Sequence, residues 1–263
     1  MSLPSPKDLW PGQSASLLKA LHILTHNGGL NADSRRKLKQ VQHLAQLIKP
    51  AIDAVMKEKE RPVLADLGAG KSYLGFILYD LYFGPAGRGT VVAIETRPEL
   101  IVTAKKIAAE SGFDRMEFVE SRIAEADLGP VDIVTALHAC DTATDEAILF
   151  ALKHDAKYVA LVPCCQAELA RELEGASGAL NQLWRHPIRR REFGAHLTNV
   201  LRGLFLEAHG YKVRVTELTG LEHSLKNELI FAERHQHANP RARAEFDKLA
   251  KEIGAAPKLL AWD

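Results

Sequence analysis

The sequence predicts an α/β fold: a Rossmann-like, mostly parallel seven-stranded sheet finished by an antiparallel C-terminal hairpin, with a helical extension before it. Three observations carry that expectation. Leucines recur at helix spacing before residue 60, and short apolar strands then alternate with helical stretches. The last two strands follow one another with no room for a crossover helix.

The extension, residues 1–60, reads as two helices between Ser14 and Lys57. Leu17, Leu18, Leu21 and Leu24 line the first; Leu38, Val41, Leu44, Leu47 and Ile48 line the second. Asn27-Gly28-Gly29 separates them, and Asn31 or Asp33 is placed to cap the second. Strands follow at Val63–Leu67, Thr90–Glu95, Met116–Glu120, Asp132–Leu137 and Tyr158–Val162. Helices are expected over Leu100–Ser111 and Thr144–Lys153, with Thr144 as a cap and Asp145 and Glu146 in the favourable first turn. Ala195–His209 reads as a helix, and Tyr211–Leu218 and Glu228–Glu233 form the hairpin. Asn239 as cap, Pro240 in the first turn and Gly254 past the end punctuate a final helix. The expected organisation is therefore an extension (1–60), a central domain (61–235) with an insertion at 166–195, and a C-terminal helix and tail (236–263).

Composition sets the background. The 263 residues are 46% apolar and 25% charged, an ordinary soluble globular balance. A net charge of +1 announces neither a nucleic-acid nor a membrane partner. The opening MSLPSPKDLW has no apolar signal-peptide core, and no run approaches the roughly 20 apolar residues that span a bilayer. Three cysteines, two of them adjacent, do not suggest a disulfide framework, so a reducing cytoplasm is expected.

The chemistry concentrates first in ADLGAGKSYLG, Ala65 to Gly75. Gly70-Lys71-Ser72 has the letters of a phosphate-binding loop, but Ala65 stands where that loop needs glycine. Asp66 would also set a carboxylate against a polyanion. A dinucleotide loop would need glycine at position 73, where the chain has Tyr73. S-adenosylmethionine carries no phosphate. It needs a glycine turn that lets its methionine part lie on bare backbone, with a carboxylate near its cationic groups; Asp66, Gly68, Ala69 and Gly70 supply those parts. Glu95 ends the next strand, where an acidic side chain can accept the ribose hydroxyls; its alternative is a solvated strand end. Tyr73 either faces the cofactor or packs. Ser121 and Arg122, with Ile123, occupy the expected adenine rim.

Ligands of open parallel sheets bind beyond the carboxyl ends of the strands. Two strands end there in ALHACDTATDEAI (Ala136–Ile148) and LVPCCQ (Leu161–Gln166), which brings His138, Cys140, Asp141, Cys164 and Cys165 to one edge. His138 or Asp141 can take a proton from, or orient, an attacking nucleophile. Cys164 can serve as a covalent nucleophile if it is a thiolate. One histidine and three cysteines can bind zinc, although no CxxC spacing supports it, and no metal is expected. Cys140 as a small buried hydrophobe and His138 as a core histidine are the plain alternatives.

DLGAGKSYLG, AIETRPEL, ALHACDTATDEAI and VPCCQ together resemble a methyltransferase domain found in three eukaryotic groups. These are the methyltransferase-like proteins, the acceptor-stem tRNA 2′-O-methyltransferases and the glutathione S-transferase C-terminal-domain-containing protein. The resemblance runs from about Arg61 to Arg234 and implies the class I, S-adenosylmethionine-dependent fold. It implies cofactor contacts at Asp66, Gly68, Gly70 and Glu95, and an active edge at His138–Asp141 and Pro163–Cys165. The tRNA enzymes have glycine where this chain has Asp141, and no zinc-finger cysteines stand outside the domain.

Basic residues point modestly to RNA. Arg35, Arg36, Lys37 and Lys39 open the second helix, and Trp184-Arg185-His186 with Arg189, Arg190 and Arg191 lie in or beside the insertion. Arginine with an aromatic suits phosphate contact and base stacking; a solvated basic face is the plain alternative. The sequence thus predicts an S-adenosylmethionine-dependent methyltransferase acting on RNA, with tRNA the class that the resemblance to the tRNA enzymes brings forward. A small-molecule or protein methyltransferase, or a silent methyltransferase-fold binding protein, are the alternatives.

Overall fold

The computed structural model describes residues 9–137, 139, 141–163, 167–174, 181–218, 228–253 and 259. The extension forms α1 (Ala15–Ala20) and α2 (Ala32–Glu58). Ser34 N donates to Asn31 Oδ1 at 2.7 Å, so Asn31 is the cap of α2 and Asp33 lies inside its first turn. Then come β1 (Val63–Leu67), α3 (Tyr73–Leu78), a π-helical turn, α4 (Gly84–Ala86), β2 (Thr90–Glu95), α5 (Pro98–Ser111) and β3 (Met116–Glu120). A 3-10 turn leads to β4 (Ile133–Leu137), α6 (Thr142–Lys153) and β5 (Tyr158–Val162). The rest is α7 (Glu168–Glu172), α8 (Asn181–Trp184), α9 (Pro187–Ala208), β6 (Tyr211–Glu217), β7 (Glu228–Arg234) and α10 (Pro240–Ile253).

The strands form one seven-stranded sheet in the order β3-β2-β1-β4-β5-β7-β6. From β3 to β5 the pairs are parallel, while β7 is antiparallel to both β5 and β6. Six strands therefore run one way and β7 alone is reversed. The chain order turns back between β1 and β4, the switch point where such sheets open a crevice at their carboxyl ends.

Alternation along the strands builds a core on each face. Leu64, Val91, Ile133, Ala160 and Val162 pack on one side with Phe76 of α3 and with Leu38, Leu44, Ile48 and Ile52 of α2. The extension is thus part of that layer. On the other side Ala65, Leu67, Val134, Val159 and Leu161 meet Ile148 of α6, Leu201 and Phe205 of α9 and Phe246 of α10.

Three helix starts differ from expectation, the first being α5, which begins at Pro98 and not Leu100. Thr144 lies inside α6, its hydroxyl donating to Ala139 O at 2.5 Å, and Asp141 holds the capping position instead. Helix α9 begins at Pro187 and not Ala195. Its arginine-rich first turns hide the apolar period, whereas a proline at the first helical position marks the start. The described part of the insertion is consequently helical, containing α7, α8 and the opening of α9. Asn239 caps α10 as expected, accepting from Ala242 N at 3.2 Å, while Gly254 lies outside the described residues.

Candidate active site

The glycine turn follows β1 at the switch point. Gly68 and Gly70 have φ of +60° and +59°, which L side chains rarely adopt. A Cβ on Gly68 would stand 3.8 Å from Ile123 Cδ1 and 4.0 Å from the Ala139 Cβ, so the turn, the end of β3 and the end of β4 converge there. Ala69 N donates to Ile94 O and Ser72 N to Ala69 O, which fixes the turn between β1 and β2.

Asp66 lies beneath this turn. Thr135 Oγ1 donates to its Oδ1 at 2.9 Å and Gly75 N to its Oδ2 at 3.3 Å. Ser72 Oγ lies near the same carboxyl but falls short of hydrogen-bond geometry and has no other partner among the described residues. Burial pushes the Asp66 carboxyl up to about 6 against those donors, which pull it down. With its side chain buried, Asp66 shapes the turn and the first turn of α3 from below. Thr135 is a partner that sequence reasoning missed. Its signal was present: it is the one hydroxyl in the apolar strand IVTAL, and it sits in register with Asp66.

Glu95 closes β2 on the other side of the turn. Its Oε2 accepts from Gly70 N at 2.7 Å, and Arg97 forks onto it with Nε to Oε1 at 3.0 Å and Nη2 to Oε2 at 3.1 Å. Burial alone would raise this carboxyl, but the Arg97 guanidinium and the backbone N–H groups outweigh it and hold it at about 2. Glu95 is ionised throughout the working range and faces the glycine turn.

The other expected contacts separate. Ser121 N donates to Glu95 O at 3.1 Å and its hydroxyl to Arg122 O at 3.0 Å, while Arg122 is exposed. Buried Ile123 is the residue of that rim that reaches the turn. Tyr73 opens α3 and lines a cavity of about 260 Å³ with His22, Lys71, Leu100 and Ile107, to which Gly68, Gly70 and Glu95 do not contribute.

At the opposite edge, His138, Cys140, Cys164 and Cys165 lie outside the described residues. Asp141 is described, and it is committed elsewhere. Its Oδ1 accepts from Ala167 N at 3.0 Å and Glu168 N at 3.2 Å, and its Oδ2 from Arg171 Nη2 at 3.1 Å. Burial would raise its carboxyl, but these donors prevail and lower it. A carboxylate so engaged is a poor proton acceptor, which weighs against Asp141 as the proton-accepting member of the pair His138 or Asp141. It ties the end of β4 to the segment after β5. Its backbone, at φ 52° and ψ −123°, is in a conformation that favours glycine, the residue the resembling tRNA enzymes carry there.

The fold is that of the class I methyltransferases, the class whose cofactor is S-adenosylmethionine. The chain belongs to the family described as methyltransferase domain, which matches residues 36–172, just over half of the chain. It is also similar to the glutathione S-transferase C-terminal domain-containing protein. The identity is 28% over 166 residues with the Bos taurus protein, covering 63% of this chain and 24% of that one. With the Homo sapiens protein it is 30% over 134 residues, covering 50% of this chain and 19% of that one. The chain spans about a quarter of the length of the first of these relatives. Among solved structures, the SAH-bound methyltransferase PaMTH1 of Podospora anserina shares the fold, with a TM-score of 0.50 at 12% identity over 88% of this chain and 92% of that one.

Proposed function

We propose that the chain transfers a methyl group from S-adenosylmethionine to RNA. Its residues fit the cofactor. Gly68 and Gly70 leave space that any side chain would fill, Ile123 and Ala139 give an apolar wall, and Glu95 is an ionised acceptor beside the turn. Bound there, the cofactor supplies an electrophilic methyl group. The chain's part is to orient both partners and exclude water, which for a bimolecular transfer is worth several kcal/mol of barrier. With Asp141 engaged, His138 remains the candidate to accept the nucleophile's proton.

The observation that favours RNA is the surface of α9. Ile188, Phe193 and Val200, three of the exposed large apolar side chains, lie on it with exposed Arg189 and Arg191. Arg189 and Phe193 stand four residues apart on one face of the helix with Val200, and an exposed aromatic beside a guanidinium suits a base and a phosphate together. Two expected contributors drop out. Trp184 is buried with its ring 5.4 Å from that of Phe193, and Arg190 is held by Trp184 O and Glu174. The Arg35–Lys37 group is less suited. Helix α2 packs on the opposite face of the sheet from α9, and Lys37 pairs with Asp33 at 2.8 Å.

The test is transfer of radiolabelled methyl from S-adenosylmethionine to total cellular tRNA and rRNA, with small-molecule and protein pools in parallel. Label in RNA alone supports the reading. Label only in another pool replaces RNA as substrate. Binding of the cofactor without label anywhere favours the silent binding protein.

A further inference from the structure

We propose that Arg97 is a positioning residue that latches the ribose subsite: its guanidinium occupies Glu95 until an adenosyl ligand's diol displaces it. The inference rests on the reading of this turn as an S-adenosylmethionine site and adds a residue to it. Acceptor capacity is what points to a latch. A carboxylate offers about four lone-pair positions. Six donors lie within reach of Glu95: the N–H groups of Gly70, Thr96 and Arg97, the Thr96 hydroxyl, and Arg97 Nε and Nη2. The carboxylate is saturated, so a diol that needs it must evict something.

The donors differ in how readily they leave. Three are backbone N–H groups fixed by the turn and by the start of α5, and cannot depart without moving the chain. The Thr96 hydroxyl is a neutral donor at 3.2 Å. Arg97 is the large occupant, and its side chain is 58% exposed while Glu95 is nearly buried, so it can swing to solvent at small cost. Its Nη2 is also the nearest atom, at 3.7 Å, to where a Cβ on Gly70 would stand. One side chain therefore lies across both features that an adenosyl ligand uses, the open glycine and the carboxylate.

Removing the latch should tighten binding. Arg97→Gln leaves Glu95 with its backbone donors and free positions for the diol. The expected result in calorimetric titration is S-adenosylhomocysteine bound roughly three- to tenfold tighter than by the parent, since an exposed arm on a buried carboxylate is worth up to about one power of ten. Arg97→Lys, which keeps charge but cannot fork, should fall between them. The 2′-deoxyribose analogue of S-adenosylhomocysteine should show little of the gain. Thermal melts confirm that each variant is folded. Equal or weaker binding by both variants overturns the latch while leaving the cofactor site in place, as does an equal gain for the deoxy analogue. No binding of S-adenosylhomocysteine by the parent or either variant overturns the cofactor reading and the latch together.

Discussion

Arg202 of α9 and Asp145 of α6 form a two-pronged ion pair, Nε to Oδ1 at 2.6 Å and Nη2 to Oδ2 at 3.1 Å, with side chains only 1% and 2% exposed. Two more of its five N–H donors are used: Nη1 reaches Asn199 Oδ1 at 3.2 Å and Nη2 reaches Asp141 O at 2.8 Å. Asn199 in turn donates to Glu228 at the start of β7. A guanidinium deep in an apolar layer is tolerable because a carboxylate neutralises it and four of its donors are met. The network holds α9, which carries the proposed RNA surface, against the backbone at the end of β4.

Breaking that pair should cost far more than a surface change. Arg202→Met takes the two-pronged ion-pair partner from a buried carboxylate, so the expected loss is about 3–5 kcal/mol in urea unfolding. Arg202→Met with Asp145→Leu should recover most of it, because two apolar groups of similar shape need no partner. A single variant as stable as the parent would mean that the ion pair contributes nothing net to the fold.

Asp141 gives a prediction of unusual order. Ala is normally at least as good as Gly in a folded chain, but the backbone here favours glycine. Both Asp141→Ala and Asp141→Gly lose the three side-chain acceptor bonds, and only the alanine variant keeps the strain. Asp141→Gly should be the more stable of the two by about 1–3 kcal/mol in the same unfolding experiment. Equal stabilities would show that the backbone at this position is not strained.

Asp66 makes stability depend on pH in a defined window. Its carboxyl titrates near 6 when folded and near the ordinary 3.8 when unfolded, so between those values the folded chain binds more protons. Stability from this group is full below about pH 4 and falls as pH rises to about 6, by on the order of 3 kcal/mol. Asp66→Asn, which can still accept from Gly75 N and meet Thr135, should flatten that stretch of the profile. Melting temperatures of both proteins from pH 4 to 7.5 decide it; parallel curves would show that Asp66 does not titrate there.

Much of this architecture was legible because short-range pattern determines it. The strands Val63–Leu67, Thr90–Glu95, Met116–Glu120 and Tyr158–Val162 stand as read, since apolar runs bounded by glycine or charge leave little freedom. The glycine turn and Glu95 were legible as a motif, and their proximity, with Gly70 N on Glu95 Oε2, follows from neighbouring parallel strands. What escaped has no local period. Arg202 and Asp145 lie 57 residues apart, and nothing in the spacing of either announces a buried pair. Arg97 carried no signal in the sequence, because its fork onto Glu95 depends on the turn closing first. Thr144 had the composition of a cap, but the chain turns earlier, at Asp141, whose positive-φ backbone is held by three side-chain hydrogen bonds.

The RNA reading can be tested on two side chains. Arg189 and Arg191 are exposed on the first turns of α9, while Arg190 is spent on Glu174 and the Trp184 carbonyl. If RNA lies along this helix, the variant Arg189→Ala with Arg191→Ala should bind RNA more weakly and flatten the dependence of affinity on salt. The log–log slope should fall by up to about 0.7 for each single-strand phosphate that is no longer neutralised, or about 0.9 in a duplex. Phe193→Ala should weaken binding by about 1–3 kcal/mol if a base stacks there, with the salt slope nearly unchanged, because stacking releases no counterions. The variants thus report separate contributions from one helix. Binding of S-adenosylhomocysteine should be unaltered in all of them, since α9 contributes no side chain to the glycine turn or to Glu95. Filter binding with cellular tRNA across a salt series measures both effects. An unchanged slope in the arginine variant, together with unchanged affinity in Phe193→Ala, would take RNA off α9 and turn the search for substrate toward smaller molecules.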